Sequence, residues 1–232
     1  MLKLIKLEIK KFKLRGYLKG VMIANLIMLG FIFIIVYGSK DDIVTPFSNY
    51  KDAVLLTGSI ARATFSIYAA AIISRIIIGE YKNKTINILF MYPINRKKIM
   101  IAKLAIVVIF AFTTMVTSSL FLNFSLFILN IFTNFIGGPL NQTVLVRSLI
   151  NIVTYSAAFA FVSLIPVYVG MRRKSGSATI VTSIILVSLL NSGSNGSSIS
   201  SIFIIPIILA IVGIVAAYLA IKDVETIDVA NF

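Results

Sequence analysis

The chain contains no cysteine, no histidine and no tryptophan. Without the first two there is no disulfide framework, no thiolate or imidazole zinc site, no haem ligation by either residue and no His/Cys nucleophile. Acidic residues are scarce as well, 8 in 232 positions, and Asp41, Asp42 and Asp52 among them flank one loop. A carboxylate-based hydrolase or a two-metal centre would have little to build with. The pattern G-x-x-x-x-G-K-[ST] does not occur, so the chain has no phosphate-cradling P-loop of its own. No catalytic residue, metal ligand or cofactor is expected here, which leaves transport, conduction or scaffolding.

What the chain does have is apolar length. It is 59% hydrophobic with a mean hydropathy of +1.00, yet carries a net charge of +14. The basic residues fall almost wholly outside the apolar runs, which is the arrangement of a polytopic membrane protein. A basic isoelectric point often marks a nucleic-acid binder, but these cations flank membrane spans, so no nucleic-acid partner is expected. No A-x-A cleavage signal comes after Tyr37, and the first apolar run is expected to stay as an anchor rather than be removed.

The expected fold is all-α, with six transmembrane helices behind an N-terminal cytoplasmic interface helix. Residues 1–16 form the amphipathic piece: Lys3, Lys6, Lys10 and Lys13 recur at helical spacing as one stripe, and Leu2, Ile5, Ile9 and Phe12 fall on another face. Such a helix lies at the lipid surface with its ammonium groups toward anionic headgroups, and Gly16 and Gly20 permit a turn into the bilayer. Residues 17–232 form one transmembrane domain with spans at about 17–37, 53–78, 99–120, 144–169, 177–193 and 199–221. The apolar extension at 121–136, where Asn123, Asn130 and Asn134 share a helical face, reads as an interfacial or re-entrant helix. Span 5 is short, because its apolar core from Ala178 to Leu190 reaches only about 20 Å. Pro166 falls near the end of span 4, and Pro206 is expected to kink span 6.

Charge sorting sets the orientation. The N-terminal stretch, the connection between spans 2 and 3, the Arg172-Arg173-Lys174 loop and Lys222 hold nearly all the cations on one side. Lys40, Lys51 and Arg147 fall on the other. The positive-inside rule then puts both termini in the cytoplasm of a multi-pass plasma-membrane protein.

The connection after span 2 carries more than charge. From Glu80 to Lys103 it reads EYKNKTINILFMYPINRKKIMIAK. This is a cytoplasmic helix–turn–helix: Glu80 and Lys84 are i,i+4 partners, Tyr92-Pro93 stops the first helix, Asn95 caps the next, and Lys98 and Lys103 snorkel from its start. A loop serving only topology explains Arg96, Lys97 and Lys98 but not an exposed apolar patch around Leu89-Phe90-Met91.

At these residues the chain resembles the permease subunit of ABC-2 type transporters. The family's glutamate, Asn-Gly-Thr-like turn, aliphatic pair, proline, arginine and span-opening lysine are matched by Glu80, Asn83, Thr85, Leu89 with Phe90, Pro93, Arg96 and Lys103. Lys84 stands where glycine is common. The ending Ala217-Tyr218-Leu219-Ala220-Ile221-Lys222-Asp223-Val224 and the cationic start are similar to the family's too. The resemblance implies a permease dimer, with itself or a related permease, that binds two cytosolic P-loop ATPase subunits. ATP and Mg would reside in those partners. It implies that Glu80, Tyr81, Lys82, Asn83, Lys84, Thr85, Leu89 and Phe90 form the ATPase-coupling segment. Within the family the chain looks most like small bacterial permeases exporting antimicrobial or amphipathic peptides, of the bacitracin-, lantibiotic- and phenol-soluble-modulin-type systems.

Three polar residues inside spans are candidates for a translocation path. Arg62 is the one charge deep in a span, at an insertion cost of about 2.5–3.5 kcal/mol, and reads either as a path residue or as a snorkelling arginine near the interface. Asp52 is too far along the same helix to be its counter-charge. Asn25 and Asn151 read as path residues or as interhelical hydrogen-bonding groups, and Gly213 with Ala217 makes a small-xxx-small pair for close helix packing. The competing functions are an ATPase-independent channel or carrier and a membrane sensor or assembly factor for peptide resistance. Ion-coupled carriers place carboxylates inside spans, and no acidic residue falls there.

Overall fold

In hydrocarbon every backbone N–H and C=O must be satisfied within its own segment, and these apolar runs do so by coiling into helices. The computed structural model describes residues 15–38, 50–82, 96–133, 142–192 and 204–222. The Lys3, Lys6, Lys10 and Lys13 stripe lies outside the described residues, as do Asn83, Lys84, Thr85, Leu89, Phe90 and the Pro93 turn. Among the described residues the fold is all-α: α1 (Arg15–Gly38), α2 (Tyr50–Ile73), a π-helical turn (Ser74–Ile78) leading directly into α3 (Gly79–Lys82), α4 (Arg96–Thr133), α5 (Gln142–Val162), α6 (Ile165–Arg172), α7 (Gly176–Asn191) and α8 (Ile204–Lys222). Five stretches are long and apolar enough to cross a membrane, and α7, with 16 residues, is the shorter sixth helix.

Several local expectations are corrected. The chain does not turn at Gly16 or Gly20, because α1 runs through both. Gly20 serves packing instead: a Cβ there would collide with the Tyr68 hydroxyl. The stretch after Leu120 does not form a separate or re-entrant helix as far as Thr133. α4 continues unbroken for 38 residues, about 57 Å against a hydrocarbon core of about 30 Å. Asn123 does not end it, since its amide donates to the Ser119 carbonyl of the preceding turn at 2.7 Å. Pro166 lies within span 4 toward its end, as expected, and the helix is interrupted there by a turn at Ser163-Leu164, so the proline opens α6, where its missing N–H is no loss. Pro206 is the third described residue of α8, and the stretch before Ile204, against which the expected kink would be measured, lies outside the described residues. Between α6 and α7, Lys174 takes a left-handed conformation (φ 52°) and Ser175 caps α7, accepting from the Ala178 N–H at 3.4 Å.

α2 is the central helix. It packs against α4, α5 and α7 and more lightly against α1, while α8 covers α5 and α6. Small residues permit these approaches: Ala53, Ala61, Ala69 and Ala70 are buried along α2, and Thr179 and Ser183 along α7. Ser183 donates to the Ser66 carbonyl of α2 at 3.2 Å. Gly213 and Ala217, the small-xxx-small pair, are buried within the subunit, with Gly213 against the backbone of Phe161 in α5.

α1 is docked by an aromatic group. Tyr68 donates to the Tyr17 carbonyl at 2.9 Å, meets the Tyr17 ring edge-on and lies against Phe65 and Phe110. Tyr68→Phe keeps the rings and removes only the donor. The expected result is a small loss of about 0.5–1.5 kcal/mol, read as a lower melting temperature of the detergent-purified protein.

Two polar contacts join α2 to α4. At one end Lys103 of α4 meets Glu80 and the Ile76 carbonyl. At the other, Thr57 and Asn123 approach to 3.5 Å. Along either helix the two levels are about 30 Å apart by helical rise.

Candidate functional site

The first candidate lies where α2 leaves the bundle. Residues 76–78 are three consecutive isoleucines, all buried against α4, α6 and α7. Here the helix widens to the i→i+5 pattern, with the Gly79 N–H reaching the Ser74 carbonyl. A π turn holds one residue more than an α turn, which rotates the residues beyond it by about 100°. The helix continues through Gly79 to Lys82. Two residues past the π turn, Glu80 is buried and its carboxylate forms an ion pair with the Lys103 ammonium. Lys103 is only 2% exposed and also donates to the Ile76 carbonyl at 3.3 Å. It therefore does not snorkel to the interface as expected, while Lys98 nearby is exposed. Glu80 turns to α4 and Lys103; its expected partner Lys84 lies outside the described residues. Tyr81 and Lys82 form the last helical residues of α3.

A signal for this pairing is present in the sequence. Glu80 and Lys103 stand at similar distances on either side of Pro93, so an antiparallel helical hairpin turning there brings them level. Its consequence is mechanical. The segment 83–95 leaves α3 and enters α4 within about two turns of a buried ion pair, so a displacement of that segment moves α2 and α4 together.

The second candidate is a cavity of about 150 Å³ between the N-terminal halves of α2 and α5. Lys51 and Arg147 stand at its mouth; Arg62 lies deeper, with Asn151 and Tyr155 across from it. Arg62 is 6% exposed and so does not snorkel. Its Nη2 donates to Ser59 Oγ at 3.0 Å, and its guanidinium carbon lies 5.0 Å from the Tyr155 ring centre and 5.4 Å from that of Phe159. Such cation–π contacts stabilise a charge removed from water. Gly58 makes room, since a Cβ there would stand 2.8 Å from Arg62 Nη1. Arg62 Nε is buried with no hydrogen-bond partner.

The structure thus brings Arg62 and Asn151 to one cavity and leaves Asn25 apart. Asn25 sits on α1 and donates within its own helix to the Val21 carbonyl at 3.0 Å. In the sequence Lys51 and Arg147 are merely loop charges. Their convergence on Arg62 joins two helices that are far apart along the chain.

A bundle of apolar helices, with a buried ion pair near the end where its described cations collect, is a polytopic α-helical membrane protein. Residues 4–191 match the family described as ABC-2 family transporter protein, and the chain belongs to that family. It is also similar to YcbO, an uncharacterized protein of Bacillus subtilis (strain 168), with 38% identity over 225 residues, 97% of this chain and 99% of the relative. No solved structure matches it. A membrane component of this family is the transport subunit of an ABC transporter, and the ATPase is a separate protein with which it associates.

Proposed function

We propose that the chain is the permease half of an ATP-driven exporter in the plasma membrane, moving an antimicrobial or amphipathic peptide out of a bacterial cell. It would act as a dimer, with itself or a related permease, on two cytosolic P-loop ATPase subunits that carry ATP and Mg. The observation that carries this reading is the Glu80–Lys103 pair. It ties α3 to α4 at the base of the 83–95 segment, so closure of the ATPases against that segment is transmitted to the helix pair at the centre of the bundle. In this reading Glu80, Tyr81, Lys82, Asn83, Lys84, Thr85, Leu89 and Phe90 form the coupling surface. Lys3, Lys6, Lys10 and Lys13 rest on anionic lipid, and Arg62 with Asn151 lines the translocation path, with Asn25 on α1 outside it. Both termini face the cytosol. The described ends of the helices support that orientation. Lys19, Arg75, Lys97, Arg172 and Lys222 lie toward the Glu80 end, and Lys51 and Arg147 toward the other.

The absence of native cysteine makes the test clean. A single Asn83→Cys substitution is expected to resist a membrane-impermeant maleimide added outside intact cells and to react after permeabilisation. A Thr85→Ala, Leu89→Ala, Phe90→Ala triple variant is expected to lose copurification of the ATPase while melting at the wild-type temperature in detergent. Labelling from outside, or full retention of the ATPase by a folded triple variant, refutes the coupling role.

A further inference from the structure

We propose that the cavity between α2 and α5 is a binding site for the phosphate-bearing headgroup of an anionic lipid. Lys51, Arg62 and Arg147 line it, and among the described residues no carboxylate does and none of the three forms an ion pair. The N-termini of α2 and α5 open at this same end, so their helix dipoles add to the positive potential. Arg62 supplies the second observation. It is buried, lies against two aromatic rings of α5, and presents an Nε–H that has no partner. A guanidinium with unmet donors calls for an oxyanion, which it binds with two parallel hydrogen bonds. A cavity of about 150 Å³ is the volume of about five waters at liquid density, which suits such a headgroup.

The chemistry favours phosphate over carboxylate. Cations approach from α2 and α5 and from two depths, and a tetrahedral group with several oxygens meets them where a flat carboxylate with two oxygens does not. The surroundings favour a lipid over free phosphate. Val54, Leu55 and Ile152 share the lining, so apolar groups of a lipid find contacts beside the cations, which a free phosphate would leave unused. This site requires only that the chain sit in a bilayer and does not rest on the peptide-export reading.

The test uses the full-length protein in neutral detergent with added dioleoylphosphatidylglycerol or dioleoylphosphatidylcholine. Retained lipid is counted by native mass spectrometry. Phosphatidylglycerol is expected to be retained about tenfold or more in preference to phosphatidylcholine, and inorganic phosphate at millimolar concentration is expected not to displace it. Lys51→Gln with Arg147→Gln should bring the preference close to one. Both residues stand at the mouth, so the melting temperature in phosphatidylcholine alone should not change. Arg147→Gln alone, the milder variant, should give an intermediate preference. Equal retention of the two lipids by the wild type, or an undiminished preference in the folded double variant, overturns the proposal. Displacement by inorganic phosphate would make this a free-anion site and overturns the lipid assignment. The lipid measurements on the wild type decide the matter even if a variant folds poorly, and none of these outcomes depends on an ATPase being present.

Discussion

Lys103→Met, made alone, is expected to cost the fold about 3–5 kcal/mol, because it leaves the buried Glu80 carboxylate without the ammonium it faces. A charge taken out of water is tolerated only while its partner and hydrogen bonds remain, and Lys103 is among the most deeply buried large side chains of the protein. Glu80→Leu alone should cost a comparable amount by orphaning the ammonium. The double variant Glu80→Leu, Lys103→Met is expected to melt above either single one, since two packed apolar side chains replace a buried pair with little net loss. Thermal melts of the four proteins in one detergent close the cycle. Additive losses would show that the two groups do not act as a unit, and the mechanical tie between α3 and α4 would then have no energetic basis.

Gly213→Val is the second large effect. A Cβ on residue 213 falls well inside contact distance of the Phe161 carbonyl oxygen and 2.9 Å from its carbon. Those are backbone atoms of α5, which cannot swing aside as a side chain would. Relief requires α8 to back away along its contact with α5 and α6, with an expected cost of about 1–3 kcal/mol. Ile214→Val, one residue on but facing outward, is the control and should melt like the wild type. If both variants melted alike, α8 would have to pack on α5 through another face.

The parts of this architecture that depend on local physics were legible in the sequence. Apolar runs become helices in lipid whatever their neighbours, and the sorting of Lys and Arg is a property of segments rather than contacts. What the sequence concealed depended on partners. Asn123 has the character of a helix end, yet its amide bonds one turn back within α4. The turn at Ser163-Leu164 just before Pro166 is a local change in helix geometry that hydropathy does not fix. Glu80 and Lys103 each stand out in the sequence, but as separate features, because burial is what makes an exposed-looking pair into an internal one. Arg62 is visible as a costly charge; that Tyr155 and Phe159 lie against it, and that Lys51 and Arg147 share its cavity, depends on how α2 meets α5.

The two polar fasteners on the α2–α4 pair, Glu80 with Lys103 and Thr57 with Asn123, form the marks of a gauge cut to the lipid around it. Bilayers built from short acyl chains would strand the Thr57 mark among headgroups, and long chains would draw the Lys103 mark into oil. The protein should therefore work best over a narrow range of acyl length, and the cell's choice of fatty acids would tune its turnover without touching a residue.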